Sequence, residues 1–136
     1  MTFTTLLCVD DLPQVLEIRK ATLEAQGYRV KIALSGYAAM KLLEQTQITA
    51  VLLDYKLEGI DAEAVASHIK QRFPSLPIIL LSAYSDVPER ILWLVDEYIM
   101  KGEAPERMVR IIERALDRRE SEPPPPKASR PSLGRR

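Results

Sequence analysis

Between Phe3 and about Arg119, short apolar runs alternate five times with longer stretches whose apolar residues recur every third or fourth position. Short runs of this kind suit strands buried on both faces, and the longer stretches suit helices with one apolar stripe. Strand and helix in alternation predict a parallel sheet with crossover helices. The first helix is expected from Pro13 to Gln26, with Leu12, Val15, Leu16 and Leu23 on one face and Gly27 as its stop. Tyr28 to Ile32 alternates like a strand with one solvated side, and a second helix begins near Ser35 with Ala38, Leu42 and Leu43. Glu58-Gly59 reads as a turn, and Asp61 as the N-cap of a third helix carrying Val65, Ile69 and Phe73. Pro74 and Pro77 bracket the loop into the fourth strand.

A fourth helix is expected to start at Asp86 as N-cap, with Glu89 completing a capping box. Its body, Ile91-Leu92-Trp93-Leu94-Val95, is apolar at five successive positions. One helical face cannot bury them all, so Trp93 or Leu92 should stand exposed as an interface. The last helix, Pro105 to about Arg118, turns Met108, Ile111, Ile112 and Ala115 inward.

With 136 residues, the chain is long enough for one ordinary domain, read as residues 1–119. Residues 120–136 change character, with four consecutive prolines at 123–126 and then Lys127, Arg130, Arg135 and Arg136 without an acid. Such a tail is too poor in apolar residues to fold, and its charges read as solubilising. No output domain fits in those 17 residues, so a single-domain protein is expected. Nineteen basic residues balance nineteen acidic ones, leaving no overall field to attract nucleic acid or an anionic membrane. The lone Cys8 reads as a small buried hydrophobe, and His68 as a surface residue. There is no leader pattern and no apolar run near the ~18 residues of a membrane span, which suits a soluble, cytoplasmic setting.

The candidate chemistry lies where the apolar runs stop. Asp10-Asp11 follows the first, Asp54 closes the third, Ser82 the fourth and Lys101 the fifth. Open α/β sheets place their ligand sites beyond these carboxyl ends of the strands. Three carboxylates gathered there repel; at ~4 Å and an effective dielectric near 20 each pair costs roughly 4 kcal/mol. Magnesium suits them, since it takes hard oxygen ligands and is held by few carboxylates plus phosphate. Asp10, Asp11 and Asp54 would supply carboxylates and Lys56 its main-chain carbonyl. With Asp54 as nucleophile toward phosphorus, Lys101 and Ser82 would supply donors to the phosphoryl oxygens.

The acidic pair Asp10-Asp11, Asp54 with Gly59 five residues on, Ser82-Ala83, and Tyr98 three residues before Lys101 make the chain resemble the receiver domain of bacterial two-component response regulators. The resemblance covers about residues 2–119. It implies a flavodoxin-like, doubly wound sheet of five parallel strands in the order 2-1-3-4-5. It also implies magnesium-dependent phosphoryl transfer to Asp54 from a histidine kinase or histidine phosphotransfer protein, and a shift between conformers in which Ser82 and Tyr98 move. That chemistry is autocatalytic rather than that of a turnover enzyme. Its readers would be a downstream protein or a second copy of the chain, through the fourth-helix face at Leu92 and Trp93. Lys56 and Tyr84 stand at the positions that tune dephosphorylation, and neither orients a hydrolytic water, so a long-lived phosphoryl group is expected. The chain departs from the pattern at Glu58, at Gly102 after Lys101, at Val95-Asp96, and in a Ser82–Lys101 interval about one helical turn (~3 or 4 residues) short. A phosphorylation-independent pseudo-receiver is the main rival reading. A haloacid-dehalogenase-type phosphatase would need a second acid where Lys56 stands, and a nucleotide-binding domain would need a glycine-rich loop after the first strand.

Overall fold

The computed structural model describes residues 4–55, 61–83 and 87–121. Five strands, β1 (Thr5–Val9), β2 (Arg29–Ala33), β3 (Ala50–Asp54), β4 (Ile78–Ser82) and β5 (Glu97–Met100), form one sheet in the order β2-β1-β3-β4-β5. Every neighbouring pair is parallel. The helices between and after them are α1 (Pro13–Ala25), α2 (Gly36–Gln45), α3 (Ala62–Arg72), α4 (Glu89–Leu92) and α5 (Pro105–Ser121).

Strand periodicity divides the core in two. Leu7, Val9, Val51, Leu53, Ile78 and Leu80 meet the α2, α3 and α4 side, while Leu6, Cys8, Leu52, Ile79, Leu81 and Ile99 meet α1 and α5. Strands β1, β3 and β4 are almost wholly buried, the expected state of central strands covered on both faces. Cys8 is one of these core residues, and burial pushes its thiol up to about 12, far from reactive.

Local chemistry sets the helix ends. Ser35 and Asp61 accept from the amides of Ala38 and Ala64 at 3.0 and 3.2 Å, as N-caps do. Gly27 takes φ +100° and lets its own amide and that of Tyr28 return to the carbonyls of Glu24 and Leu23, closing α1.

Three expectations change. Leu12 does not join the buried stripe: it is the N-cap residue of α1 and is exposed, because the chain is still leaving the sheet edge there. Helix α4 is one turn long and follows Pro88 without a side-chain cap, so Glu89 is its first residue rather than the third of a capping box. Helix α5 runs past Arg118 to Ser121, within the usual fraying of a helix end. The expected roles of Lys56, Glu58, Gly59, Tyr84, Asp86 and the tail from Glu122 lie outside the described residues.

The short α4 is tied down by polar contacts at Val95-Asp96, where the chain departs from the receiver pattern. The Asp96 amide donates to Ile78 O at 2.8 Å, and the Asp96 carboxylate accepts from the Ile78 amide at 2.8 Å. Arg118 donates to the Asp96 carbonyl at 2.7 Å, and both Arg114 and Arg118 pair with Glu97. Burial opposes the Glu97 charge, but the two guanidinium groups overcome it and hold the carboxyl below its usual range. Leu92 and Trp93 are left at 40% and 77% exposure, while Ile91 takes the core position.

Candidate functional site

Parallel register brings the polar strand ends together. Val9 pairs with Leu53, so the next residue on each strand, Asp10 and Asp54, stands side by side. Asp54 pairs with Leu81, one residue before Ser82, and Ser82 pairs with Met100, one residue before Lys101. The ladder continues past the strands: the Asp10 amide donates to Ala33 O at 3.2 Å, Tyr55 to Leu81 O at 2.8 Å, and Lys101 to Ser82 O at 2.8 Å. Lys101 is followed by Gly102 at φ +96°, a left-handed turn with a trans peptide bond, which takes the chain off the sheet toward α5.

Asp10, Asp54 and Ser82 are completely buried. Lys101 Nζ lies 2.6 Å from Asp54 Oδ2, with the lysine side chain about one-third exposed at 31%. Neither Asp54 oxygen receives a well-directed hydrogen bond, so this carboxylate is charge-paired but underserved by donors. Asp10 is better supplied: Oδ1 accepts from the Leu12 amide at 3.0 Å and Oδ2 from Arg19 Nη1 at 3.4 Å.

These surroundings drive the two carboxyls apart. Burial, reinforced by the adjacent Asp10, pushes Asp54 up to about 7 against the pull of Lys101. Burial acts on Asp10 in the same direction, but the shared hydrogen bond with Asp54, the Leu12 amide and the charges of Arg19 and Lys101 bring it below the usual range. Of the two, Asp54 is therefore the carboxyl that keeps its proton to higher pH.

Asp11 is half-buried and is not drawn into that pair; no cluster of three or more acidic, histidine or cysteine side chains is gathered for a metal among the described residues. Two close carboxylates, with the Asp54 oxygens lacking hydrogen-bond partners, still match the way magnesium is held, through one or two carboxylates with water and phosphate in its other places. Tyr98 sits on β5, half-buried against the α2–α3–α4 side, with its hydroxyl 3.8 Å from the Met100 sulfur. Leu92 and Trp93 lie on and just after α4, outside the carboxylate cluster.

Arg19 was absent from the sequence-based site. It lies three residues after Leu16 and four before Leu23, on the buried stripe of α1, and its side chain is only 11% exposed. A cation at a stripe position needs a buried partner, and that spacing was the available signal.

A family model of the response regulator receiver domain matches residues 6–113. The chain belongs to that family. A response regulator MprA from Mycobacterium sp. (strain KMS) is 34% identical over 119 residues, covering 85% of this chain and 51% of the relative. A putative NtrX-like response regulator from Rickettsia felis is 28% identical over 116 residues, covering 82% of this chain and 24% of the relative. The chain thus spans about a quarter to a half of the length of these curated relatives. Among solved structures, the response regulator TrrA from Thermotoga maritima, in complex with Mg2+-BeF, matches with a TM-score of 0.77 and 30% identity, covering 84% of this chain and 100% of that one. A CheY-like receiver domain protein from Methanospirillum hungatei matches with a TM-score of 0.78 and 25% identity, covering 88% and 98%. No described helix of this receiver is long and apolar enough to cross a membrane.

The raised Asp54 pKa has a stability consequence of definite sign. An acid whose folded pKa lies above its unfolded value favours the folded state when protonated. In metal-free protein that contribution is fully present below about pH 3.8 and is lost as pH rises through about 7. Lowering of the Asp10 pKa acts oppositely, and below the ordinary carboxylate range. Urea denaturation in EDTA should show Asp54→Asn more stable than wild type at pH 8 by at least about 1 kcal/mol, with the gain shrinking toward pH 5. An Asp54→Asn protein of equal or lower stability at pH 8 would count against like-charge repulsion at this site.

Proposed function

We propose that this receiver accepts a phosphoryl group on Asp54 and acts as a single-domain response regulator. The observation that carries the reading is the buried Asp54 carboxylate, without a well-directed donor, between Asp10 and Lys101 at 2.6 Å. A phosphohistidine of a sensor kinase or a phosphotransfer protein is the donor. An Asp54 oxygen attacks phosphorus, the P–N bond breaks with its electron pair left on the imidazole, and a mixed anhydride forms.

Asp10 and Asp54 are the carboxylates that would hold magnesium, with Asp11 and the main-chain carbonyl of Lys56 as the further ligands the family pattern implies. Bound there, the ion supplies positive charge for the acidic pair and the phosphoryl oxygens. Lys101 moves from pairing Asp54 to pairing a phosphoryl oxygen, and the Ser82 hydroxyl donates to another. The aspartyl phosphate shifts the population between two conformers, read through Ser82 and Tyr98. It is slow to hydrolyse, since Lys56 and Tyr84 offer no group to orient water. The chemistry is stoichiometric self-modification, not enzyme turnover, in a cytoplasmic setting. Exposed Leu92 and Trp93 form the output surface, covered in the active state by a downstream protein or a second copy.

Incubation with acetyl phosphate and magnesium should add one phosphoryl group by intact mass, and EDTA or Asp54→Asn should abolish it. Full labelling of the Asp54→Asn protein contradicts the assignment, as does equal labelling in EDTA. For the output surface, beryllofluoride with magnesium should shift Trp93 emission to shorter wavelength when the protein assembles in sedimentation or a partner is present. Emission that stays that of an exposed indole in the assembled state rules Trp93 out of the contact.

A further inference from the structure

Asp10 is the one carboxylate of the buried pair whose oxygens both have donors. Its Oδ1 takes the Leu12 amide at 3.0 Å, and its Oδ2 faces Arg19 Nη1 at 3.4 Å. The Leu12 contact is an ordinary turn at the start of α1. The Arg19 contact is different in kind, because it reaches nine residues along the chain and brings a full charge to a completely buried carboxylate. Arg19 is itself almost covered, at 11% exposure, so water screens the pair little.

We propose that Arg19 is a built-in counter-cation of the acidic pair, competing with magnesium for Asp10 and setting the concentration of the ion at which the receiver becomes competent. This inference rests on the magnesium site proposed above and deepens it. A guanidinium in contact with a ligand carboxylate lowers the negative potential that draws a divalent cation to that carboxylate. It also relieves part of the Asp10–Asp54 repulsion before any metal arrives. Both effects weaken magnesium binding relative to the same site without the arginine. Lys101 also acts on Asp10 by its charge, but its contact is with Asp54 Oδ2, so Arg19 is the cation in contact with Asp10.

The surroundings give the guanidinium room to leave. Arg19 lines a groove of about 280 Å3 between α1 and the start of α5, with Val15, Ile18, Pro105 and Met108 as apolar wall and Thr22 beside them. Glu103, ion-paired with Arg107 at 3.0 Å, also lines the groove. Swinging into it, the side chain would keep its stem against apolar surface and gain a second carboxylate neighbour. Arg19 touches no reacting atom; it is a positioning residue acting through Asp10.

The test is calorimetric titration of magnesium into the full-length unphosphorylated protein, comparing wild type with Arg19→Met and Arg19→Lys. Methionine keeps the apolar stem and removes the charge, and lysine restores the charge. Arg19→Met should bind magnesium at least about tenfold more tightly than wild type, and Arg19→Lys should return toward the wild-type affinity. Melting temperature gives the second readout. Arg19→Met should fall below wild type in EDTA, where the acidic pair has lost a counter-charge, and recover to wild type or above in saturating magnesium. An affinity equal to or weaker than wild type overturns the inference and leaves the magnesium site standing. An equal loss of melting temperature with and without magnesium shows a purely structural arginine and overturns it too. Absence of magnesium uptake by wild type and Arg19→Met alike removes both the site and the inference.

Discussion

Two carboxylates are forced together by backbone register. Once β1 and β3 pair as parallel neighbours with Val9 opposite Leu53, Asp10 and Asp54 leave the sheet side by side, and both are completely buried. The apolar pairing below them, from Leu6–Ala50 to Val9–Leu53, is what makes the register stiff, since a one-residue slip would turn every side chain of a fully buried strand to the wrong face. Hydrophobic burial therefore holds an electrostatic conflict in place. The conflict is partly offset by Lys101 just after β5 and Arg19 from α1, and the remainder raises the Asp54 pKa.

A site built on this balance is poised for charge. In the proposed reaction, positive charge brought to the acidic pair would favour ionised Asp54, and the phosphoryl group it accepts would need the same cations in new positions. The amides that fix the backbone of Asp10, Tyr55 and Lys101 hold the strand ends still while side chains exchange partners. At the opposite end of β4, the reciprocal Asp96–Ile78 contacts and the Arg114–Glu97–Arg118 cluster hold the short α4 connection closed. With one turn in place of a longer helix, Trp93 has no helical partner face to turn toward and remains outside.

Sheet class and the two-sided core were legible because fully apolar strands and one-sided helices have different periods, while the strand order followed from the resemblance to receiver domains and not from periodicity. The helix starts at Ser35 and Asp61 were legible, and in both the side chain accepts from an amide of the first turn. The start of α4 was not: its sequence satisfies a capping-box pattern, but Pro88 sets the entry and the short span to β5 leaves room for a single turn. Leu12 was misplaced because apolarity says nothing about a residue still in the turn above the sheet. The strand-end residues Asp10, Asp54, Ser82 and Lys101 could be read directly, since polar residues closing apolar runs have no packing reason to be there. Arg19 could not be read by the same rule. It lies mid-helix, where arginine is common; its place on the stripe between Leu16 and Leu23 signals a buried charge, and the distance to Asp10 identifies the partner.

Carbon-13 NMR of the side-chain carboxyl carbons, titrated in EDTA and again with saturating magnesium, follows the Asp10–Asp54 conflict directly. In EDTA a buried carboxyl assigned to Asp54, by its loss in Asp54→Asn, should titrate near pH 7 with Asp10 well below it. Magnesium should move the Asp54 midpoint down into or below the ordinary carboxylate range near 3.8. A midpoint already in that ordinary range in EDTA, and unmoved by magnesium, would contradict the view that strand register stores like-charge repulsion at this site for phosphoryl chemistry to use.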